Sequence, residues 1–229
     1  MKHITVLTGA GISAESGIST FRDSNGLWEN HEVMDVASPE GWEKDRKLVI
    51  DFYNARRRQL KEVFPNKGHK ALVELEKKYQ VHVVTQNVDN LHELAGSSHI
   101  VHLHGELTKV RSTVDERLVY DWTEDLNIGD LCDKGSQLRP HIVWFGEAVP
   151  KLEEAARLTA KAEVVLIIGT SMNVYPAASL VAYAKPGAKI FYIDPNPNIS
   201  AELAGLRNLE IVKEVGSIGV PKVVAGLML

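Results

Sequence analysis

Apolar and polar positions along this chain change period several times, and each change marks an element. His3-Ile4-Thr5-Val6-Leu7-Thr8 is short, apolar and β-branched and runs straight into Gly9, which predicts a buried first strand. The stretch 24–35 is polar and turn-like, with Trp28 and Met34 as its apolar anchors. Ser38 and Pro39 then suit the N-cap and first position of a helix over about 41–63, burying Trp42, Leu48, Phe52, Ala55 and Leu60. A second amphipathic helix over 69–79 delivers a strand at 81–85, and a short helix at 91–94 precedes a strand at 100–104. From 107 to 138 the chain is polar and loop-rich, with strand-like pieces only at 109–112 and 118–122, which reads as an inserted lobe. After an apolar run at 141–145, a helix at 152–162 leads to the wholly apolar run 164–168, the signature of a parallel strand covered on both faces. A helix at 176–184, strands at 188–193 and 209–212 and a last helix after Ser217 close the pattern.

This alternation predicts an α/β fold: a doubly wound, Rossmann-like parallel sheet with a smaller domain built from two insertions, one helical and one loop-rich. One domain is expected over 1–229, with its core at about 1–23, 66–106 and 139–229 and the small domain at about 24–65 and 107–138. Composition narrows the partners. A formal charge of -4 and a pI near 6.1 give no reason to expect nucleic acid, and no run approaches the ~18 apolar residues of a membrane span. Met1-Lys2-His3 enters a strand at once, so no leader is expected and the cytoplasm is the default location. The lone Cys132 excludes an internal disulfide and a cysteine-based zinc site.

Gly9, Gly11 and Ala14 fit G-x-G-x-x-G/A, the turn that brings backbone amides against a pyrophosphate at a helix N-terminus. The continuation departs from a hydride-transfer enzyme, because 15–19 breaks the helix after about a turn and Phe21-Arg22-Asp23 enters a polar loop. Successive strand ends carry Gly9/Gly11/Ser13, Gln86/Asn87/Asp89, Gly169/Thr170/Ser171 and Asp194/Asn196. Each set is ordinary turn chemistry by itself, but their recurrence on one sheet edge predicts a dinucleotide site. His104 can take a proton near neutral pH; His102 would share its strand face, yet no third residue of metal spacing follows. Tyr53 and Arg56, three apart on a helix, suit a carboxylate, although Arg56-Arg57-Arg58 also reads as a solvated face.

GAGISAESGISTFR, TQNVDNLH, HLHGE, VWFGE and GTS, in that order from residue 9 onward, closely resemble the sirtuins, NAD-dependent protein lysine deacylases. FYNARRRQL resembles the segment of bacterial and mitochondrial members that remove acidic acyl groups, in which the Tyr and Arg of Y-x-x-R bind the acyl carboxylate. The resemblance implies that Gly9, Ala10, Gly11 and Ser13 hold the pyrophosphate of NAD, with Phe21, Arg22 and Trp28 on a mobile cofactor loop. It places Gln86, Asn87 and Asp89 at the nicotinamide ribose, and Gly169, Thr170, Ser171, Asp194, Asn196 and Gly216 at the adenosine half. His104 is then the base, assisted by Asn87 and Asp89. Val143, Phe145, Gly146 and Glu147 form one wall of the acyl-lysine channel, Val174 and Tyr175 the other side of the peptide cleft, and Tyr53 with Arg56 selects succinyl- or malonyl-lysine.

In the implied reaction NAD is consumed: the acyl oxygen attacks the ribose as nicotinamide leaves, His104 activates a ribose hydroxyl, and free lysine and O-acyl-ADP-ribose result. Acetyl removal is a further expected activity, and acyl-lysine proteins or peptides are the partners. The sequence leaves open protein ADP-ribosylation and a non-catalytic NAD or ADP-ribose sensor; an intact His104 beside Asn87 and Asp89 speaks against the sensor. Two departures stand out. Where most members hold zinc with four cysteines, this chain has Ser112 and only Cys132, so no zinc is expected and the lobe must be held by packing around Tyr120, Trp122 and Leu131. Asp194-Pro195-Asn196 replaces the usual Asn followed by Glu at the adenosine ribose.

Overall fold

The structure, a computed structural model, describes residues 1–19, 27–199 and 201–229. The first strand, β1 (His3–Thr8), ends in two short turns of 3-10 helix, and β2 (Leu27–Trp28) with β3 (His31–Glu32) forms a small hairpin. Helices α1 (Val33–Val36), α2 (Pro39–Lys44), α3 (Arg46–Gln59) and α4 (Lys67–Leu75) lead to β4 (Gln80–Thr85), α5 (Leu91–Ala95) and β5 (Ile100–His102). Next come β6 (Gly105–Ser112), β7 (Val119–Asp121), β8 (Leu138–Ile142), α6 (Leu152–Lys161) and β9 (Val164–Ile168). The chain ends with β10 (Lys189–Ile193), α7 (Ala201–Ala204), β11 (Leu209–Val212) and α8 (Gly216–Met228).

Six strands in the order β11-β10-β9-β1-β4-β5 form a parallel sheet. Its register sets Thr8 beside both Thr85 and Ile168, and Ile168 beside Ile193, so the strands end on one edge and release their loops there. The alternating faces bury Leu7, Val84, Val165 and Ile167 in one core cluster, and Ile4, Val6, Val83, Leu166 and Ile168 in another. Each such side chain contributes about 1.5–3 kcal/mol on burial, which makes the sheet a rigid base for that edge.

Four elements differ from the sequence reading. The long helix at 41–63 is two helices, because Asp45 breaks it and caps α3 by accepting from the Leu48 amide at 2.9 Å. The strand at 100–104 stops at His102, and Gly105, at φ +84, turns the chain away where a Cβ would lie 2.0 Å from the His141 carbonyl oxygen. Residues 138–142, which straddle the expected start of a core segment at 139, pair antiparallel with β6 in a separate three-stranded sheet. There β8 is an edge strand, the position that accommodates Pro140. The helix at 176–184 is a 3-10 helix over Ala177–Tyr183.

The lobe packs on α3. Val49, Phe52 and Tyr53 share a core cluster with Val110, Leu126, Leu138, Ile142 and Trp144, and Tyr120 and Trp122 pack against its side. Leu131, expected inside, is 55% exposed, because Leu126 and Cys132 take the interior positions. The Asn54 side chain staples helix to lobe by donating to the Leu126 carbonyl at 2.8 Å and accepting from the Leu126 amide at 2.9 Å. Arg57 Nε donates to the Leu107 carbonyl at 2.9 Å. The Cys132 thiol lies 3.3 Å from the Ser112 hydroxyl and 3.1 Å from that of Ser136. One thiol and two hydroxyls do not fit a structural zinc centre, which takes thiolate and imidazole ligands.

Candidate active site

The loops released at the sheet edge line a cavity of about 490 Å³. Gly9, Ala10 and Gly11 follow β1; Gln86, Asn87 and Asp89 follow β4; Gly169, Thr170 and Ser171 follow β9; Asp194 and Asn196 follow β10. All were singled out in the sequence, and all border the same space. Gly9 and Gly11 are required by packing: a Cβ on them would lie 2.8 Å from the Gly169 carbonyl oxygen and 2.6 Å from Gly169 Cα. Their amides, and that of Ser13, are spent on the carbonyls of Ile168, Gly169 and Ala10. These three residues therefore shape the loop more than they donate to a phosphate.

Ser13 and Gly216 do not line the cavity. Ser13 is fully buried and acts as a hub: its hydroxyl donates to Asp89 Oδ2 at 3.0 Å and accepts from Asn87 Nδ2 at 3.2 Å. Asp89 Oδ1 accepts from the Leu91 amide at 3.0 Å, while burial pushes its carboxyl above the usual range against these donors. Gly216 starts α8 beside Ile12, behind the loop. Asp194 Oδ1 accepts from the Asn196 amide at 2.8 Å, so the segment 194–196 forms a closed turn beside the cavity. Phe21 and Arg22 lie outside the described residues, whereas Trp28 lines the cavity.

His104 lines the same cavity. Its Nδ1 is 3.1 Å from the Gln86 carbonyl, an acceptor, so Nδ1 carries the proton and Nε2 has the free lone pair. Burial holds the ring below its usual pKa, so the neutral, basic form dominates at neutral pH. His102 faces elsewhere. Its Nδ1 reaches the Asn87 carbonyl at 3.0 Å and its Nε2 the Glu93 carboxylate at 2.7 Å, so the two rings do not converge as a metal pair.

The opposite wall comes from the lobe and α3. Arg56, Val143, Phe145, Gly146 and Glu147 line it, and Val174 and Tyr175 line the same cavity. Arg56 stacks 4.6 Å above the Phe52 ring and faces Glu29 at 4.0 Å, while its buried Nε has no partner among the described residues. Tyr53 lies behind this wall, fully buried, and its hydroxyl accepts from Trp144 Nε1 at 3.1 Å. Burial raises the phenol well above its normal range, so it keeps its proton. Trp144, missed in the sequence, is held from behind: Arg139 stacks 3.3 Å over its ring and donates to Glu147 at 2.7 Å, and Glu147 accepts the Trp144 amide at 2.8 Å. Its signal was the alternation in VWFGE, which points Trp144 inward between Val143 and Phe145. Glu29, which carried no motif, and Gln59, inside FYNARRRQL but given no role there, also line the cavity.

Residues 9–176 match the model of the Sir2 family. The chain is 65% identical over 195 residues to an NAD-dependent protein deacylase of Helicobacter pylori, covering 85% of each chain. It is 55% identical over 226 residues to an NAD-dependent protein deacylase of Bacteroides thetaiotaomicron, covering 96% of this chain and 95% of the relative. Among solved structures, a Sir2 homolog–NAD complex superposes with a TM-score of 0.88 at 38% identity, covering 99% of this chain and 90% of the other.

Proposed function

The chain belongs to the Sir2 family and is an NAD-dependent protein deacylase; from that premise we propose that it selects lysines bearing short acidic acyl groups, succinyl or malonyl, with acetyl-lysine a poorer substrate. The observation that carries this is the shared cavity, which His104, the sheet-edge loops and Arg56 all line.

The site fits NAD: glycines pack without side chains at Gly9, Gly11 and Gly169, and polar groups recur along one edge. All line the cavity, and with NAD bound Gly9, Ala10 and Gly11 would hold its pyrophosphate and Gly169, Thr170, Ser171, Asp194 and Asn196 its adenosine half, with Trp28 beside them. Bound NAD supplies a ribose carbon bearing a nicotinamide leaving group and neighbouring hydroxyls. Asn87 and Asp89, fixed through Ser13, offer oxygens toward positive charge developing at that carbon. His104 Nε2 accepts the proton of a ribose hydroxyl, and the Gln86 carbonyl steadies the resulting imidazolium.

On the acyl side, an orphaned Arg56 Nε and a Glu29 contact at 4.0 Å leave the guanidinium able to take a carboxylate. Tyr53 can donate its proton, because its oxygen already accepts from Trp144. Tyr53 does not itself line the cavity, whereas Trp144, which donates to it, does. The test is product analysis: protein, NAD and a succinyl-lysine peptide are incubated and examined by mass spectrometry. O-succinyl-ADP-ribose and free lysine are expected. ADP-ribosylated protein would replace this reading with group transfer to protein, and the absence of free nicotinamide would replace it with a sensor.

A further inference from the structure

Loop 86–89 carries three of the residues facing the nucleotide, and three successive carbonyls along it are each tied down from outside. The Gln86 carbonyl accepts from His104 Nδ1 at 3.1 Å, that of Asn87 faces His102 Nδ1 at 3.0 Å, and that of Val88 accepts from the Leu107 amide at 2.8 Å. Asn87 is the best-held residue of the set. Its amide donates to Thr85 Oγ1 at 3.0 Å and its side chain to Ser13 Oγ at 3.2 Å, so His102 supplies the one remaining anchor.

His102 differs from His104 in what stands behind it. A carbonyl oxygen and an ionised carboxylate only accept hydrogen bonds, so a ring bridging Asn87 and Glu93 must carry protons on both nitrogens. The bridge is therefore an imidazolium, with its side chain 9% exposed, and neither His102 nor Glu93 lines the cavity. We propose that Glu93 and His102 form a charged positioning pair that fixes the Asn87 peptide under the nicotinamide–ribose end of the site, so that turnover depends on the protonation of a residue that touches no substrate.

The surroundings agree. Burial lowers the His102 pKa, but the hydrogen bond and charge of Glu93, with Glu106 behind, outweigh it and hold the ring above its usual value. Asp89 and His92 also face it, and Lys109 sits 3.0 Å from Glu106 and partly offsets that carboxylate. His104, two residues away and shifted the other way by burial, stays neutral. One loop is thus held by a charged and an uncharged histidine, the pattern of paired groups whose environments separate their titrations. Activity should then be bounded on the acid side by His104 and on the alkaline side by His102.

The proposal rests on the deacylase reading, and its test has a readout independent of it. The profile of kcat/KM for NAD against pH is measured for the wild type, Glu93→Gln, His102→Asn and His102→Leu, with the His102 ring followed by NMR titration. Glu93→Gln is expected to lower the His102 midpoint and the alkaline limb together, by about one pH unit, and to leave the acid limb in place. His102→Asn keeps a donor near the Nδ1 position without titrating, so it should flatten the alkaline limb while holding activity within about fivefold of wild type, a loss near 1 kcal/mol. His102→Leu removes the donor and should cost about tenfold in kcat/KM on the plateau below the alkaline limb, the loss of one buried hydrogen bond, and less above it. If His102→Leu fails to fold, the other two variants still decide. Wild-type alkaline limbs in both Glu93→Gln and His102→Asn would overturn the proposal. A wild-type protein that releases no nicotinamide at any pH would sink the deacylase reading, and the pair is then judged on the NMR midpoint, which Glu93→Gln must lower.

Discussion

The sheet-edge loops and the lobe-side wall of the cavity are held in different ways. At the sheet edge, buried polar groups bond to one another: Ser13 joins Asn87 and Asp89, Gln86 donates to Thr170 at 3.0 Å, and Thr8 meets His92 at 3.2 Å. Its residues hold still because their hydrogen-bonding capacity is largely spent inside the protein. On the lobe-side wall, Trp28, Phe52 and Tyr53 meet edge to face at 5.0–6.1 Å alongside the Arg139–Glu147–Trp144 hydrogen bonds, and the Arg56 guanidinium is left loosely paired among the described residues. The lesson is a division of labour: a satisfied network suits a cofactor common to every substrate, and an under-satisfied cation suits discrimination among acyl groups.

The sharpest way to break this comparison is on the network side. His104→Ala should lower deacylation about 10²–10⁴-fold, equally for succinyl and acetyl peptides, as measured by peptide turnover. A loss confined to one acyl group would erase the division. Because burial depresses the pKa of His104 and the neutral ring is the active form, activity should persist below the free-histidine value of about 6.5 and fall only as pH drops through the lowered value. A kcat profile with its acid limb above that value would contradict the assignment.

Tyr53→Phe sharpens the other side. Losing one donor to a carboxylate should cost desuccinylation about tenfold and leave deacetylation within about twofold. Trp144→Phe tests the same contact one step back, through the indole that orients the phenol, and should give a smaller loss of the same sign.

The lobe beneath the wall can be probed by stability alone. Asn54→Ala removes both bonds to Leu126 and should destabilise by about 1–3 kcal/mol, a fall of about 3–10 °C in Tm, without altering the succinyl-to-acetyl ratio. The smallest expected effect is that of a chelator, which should leave Tm unchanged, with metal analysis finding no zinc. One zinc per chain would show that Ser112, Cys132 and Ser136 do not define the lobe's chemistry.

Much of the edge was legible in the sequence because its loops follow apolar strands and carry groups whose spacing is local, from Gly9 to Asn196. The wall was legible only where two residues share a helix turn, as Tyr53 and Arg56 do. Trp144, Arg139 and Glu147 meet Tyr53 across about ninety positions of chain, and no local period encodes such a contact. For the same reason the antiparallel pairing of β8 with β6 was not foreseen: the apolar run beyond Pro140 looks like a core strand until its partner is known. The resemblance puts Ser13 at the phosphate, whereas its hydrogen-bond partners Asn87 and Asp89 lie more than seventy residues away in sequence.

The division of labour is tested most directly by one ratio: kcat/KM for a succinyl peptide over that for its acetyl counterpart, at saturating NAD, in the wild type and in Arg56→Met. The account predicts a wild-type ratio above one that falls about 10–100-fold in the variant, the worth of a charge-assisted hydrogen bond, with deacetylation and KM for NAD unchanged. Equal losses on both peptides, or a ratio that Arg56→Met leaves untouched, would contradict it.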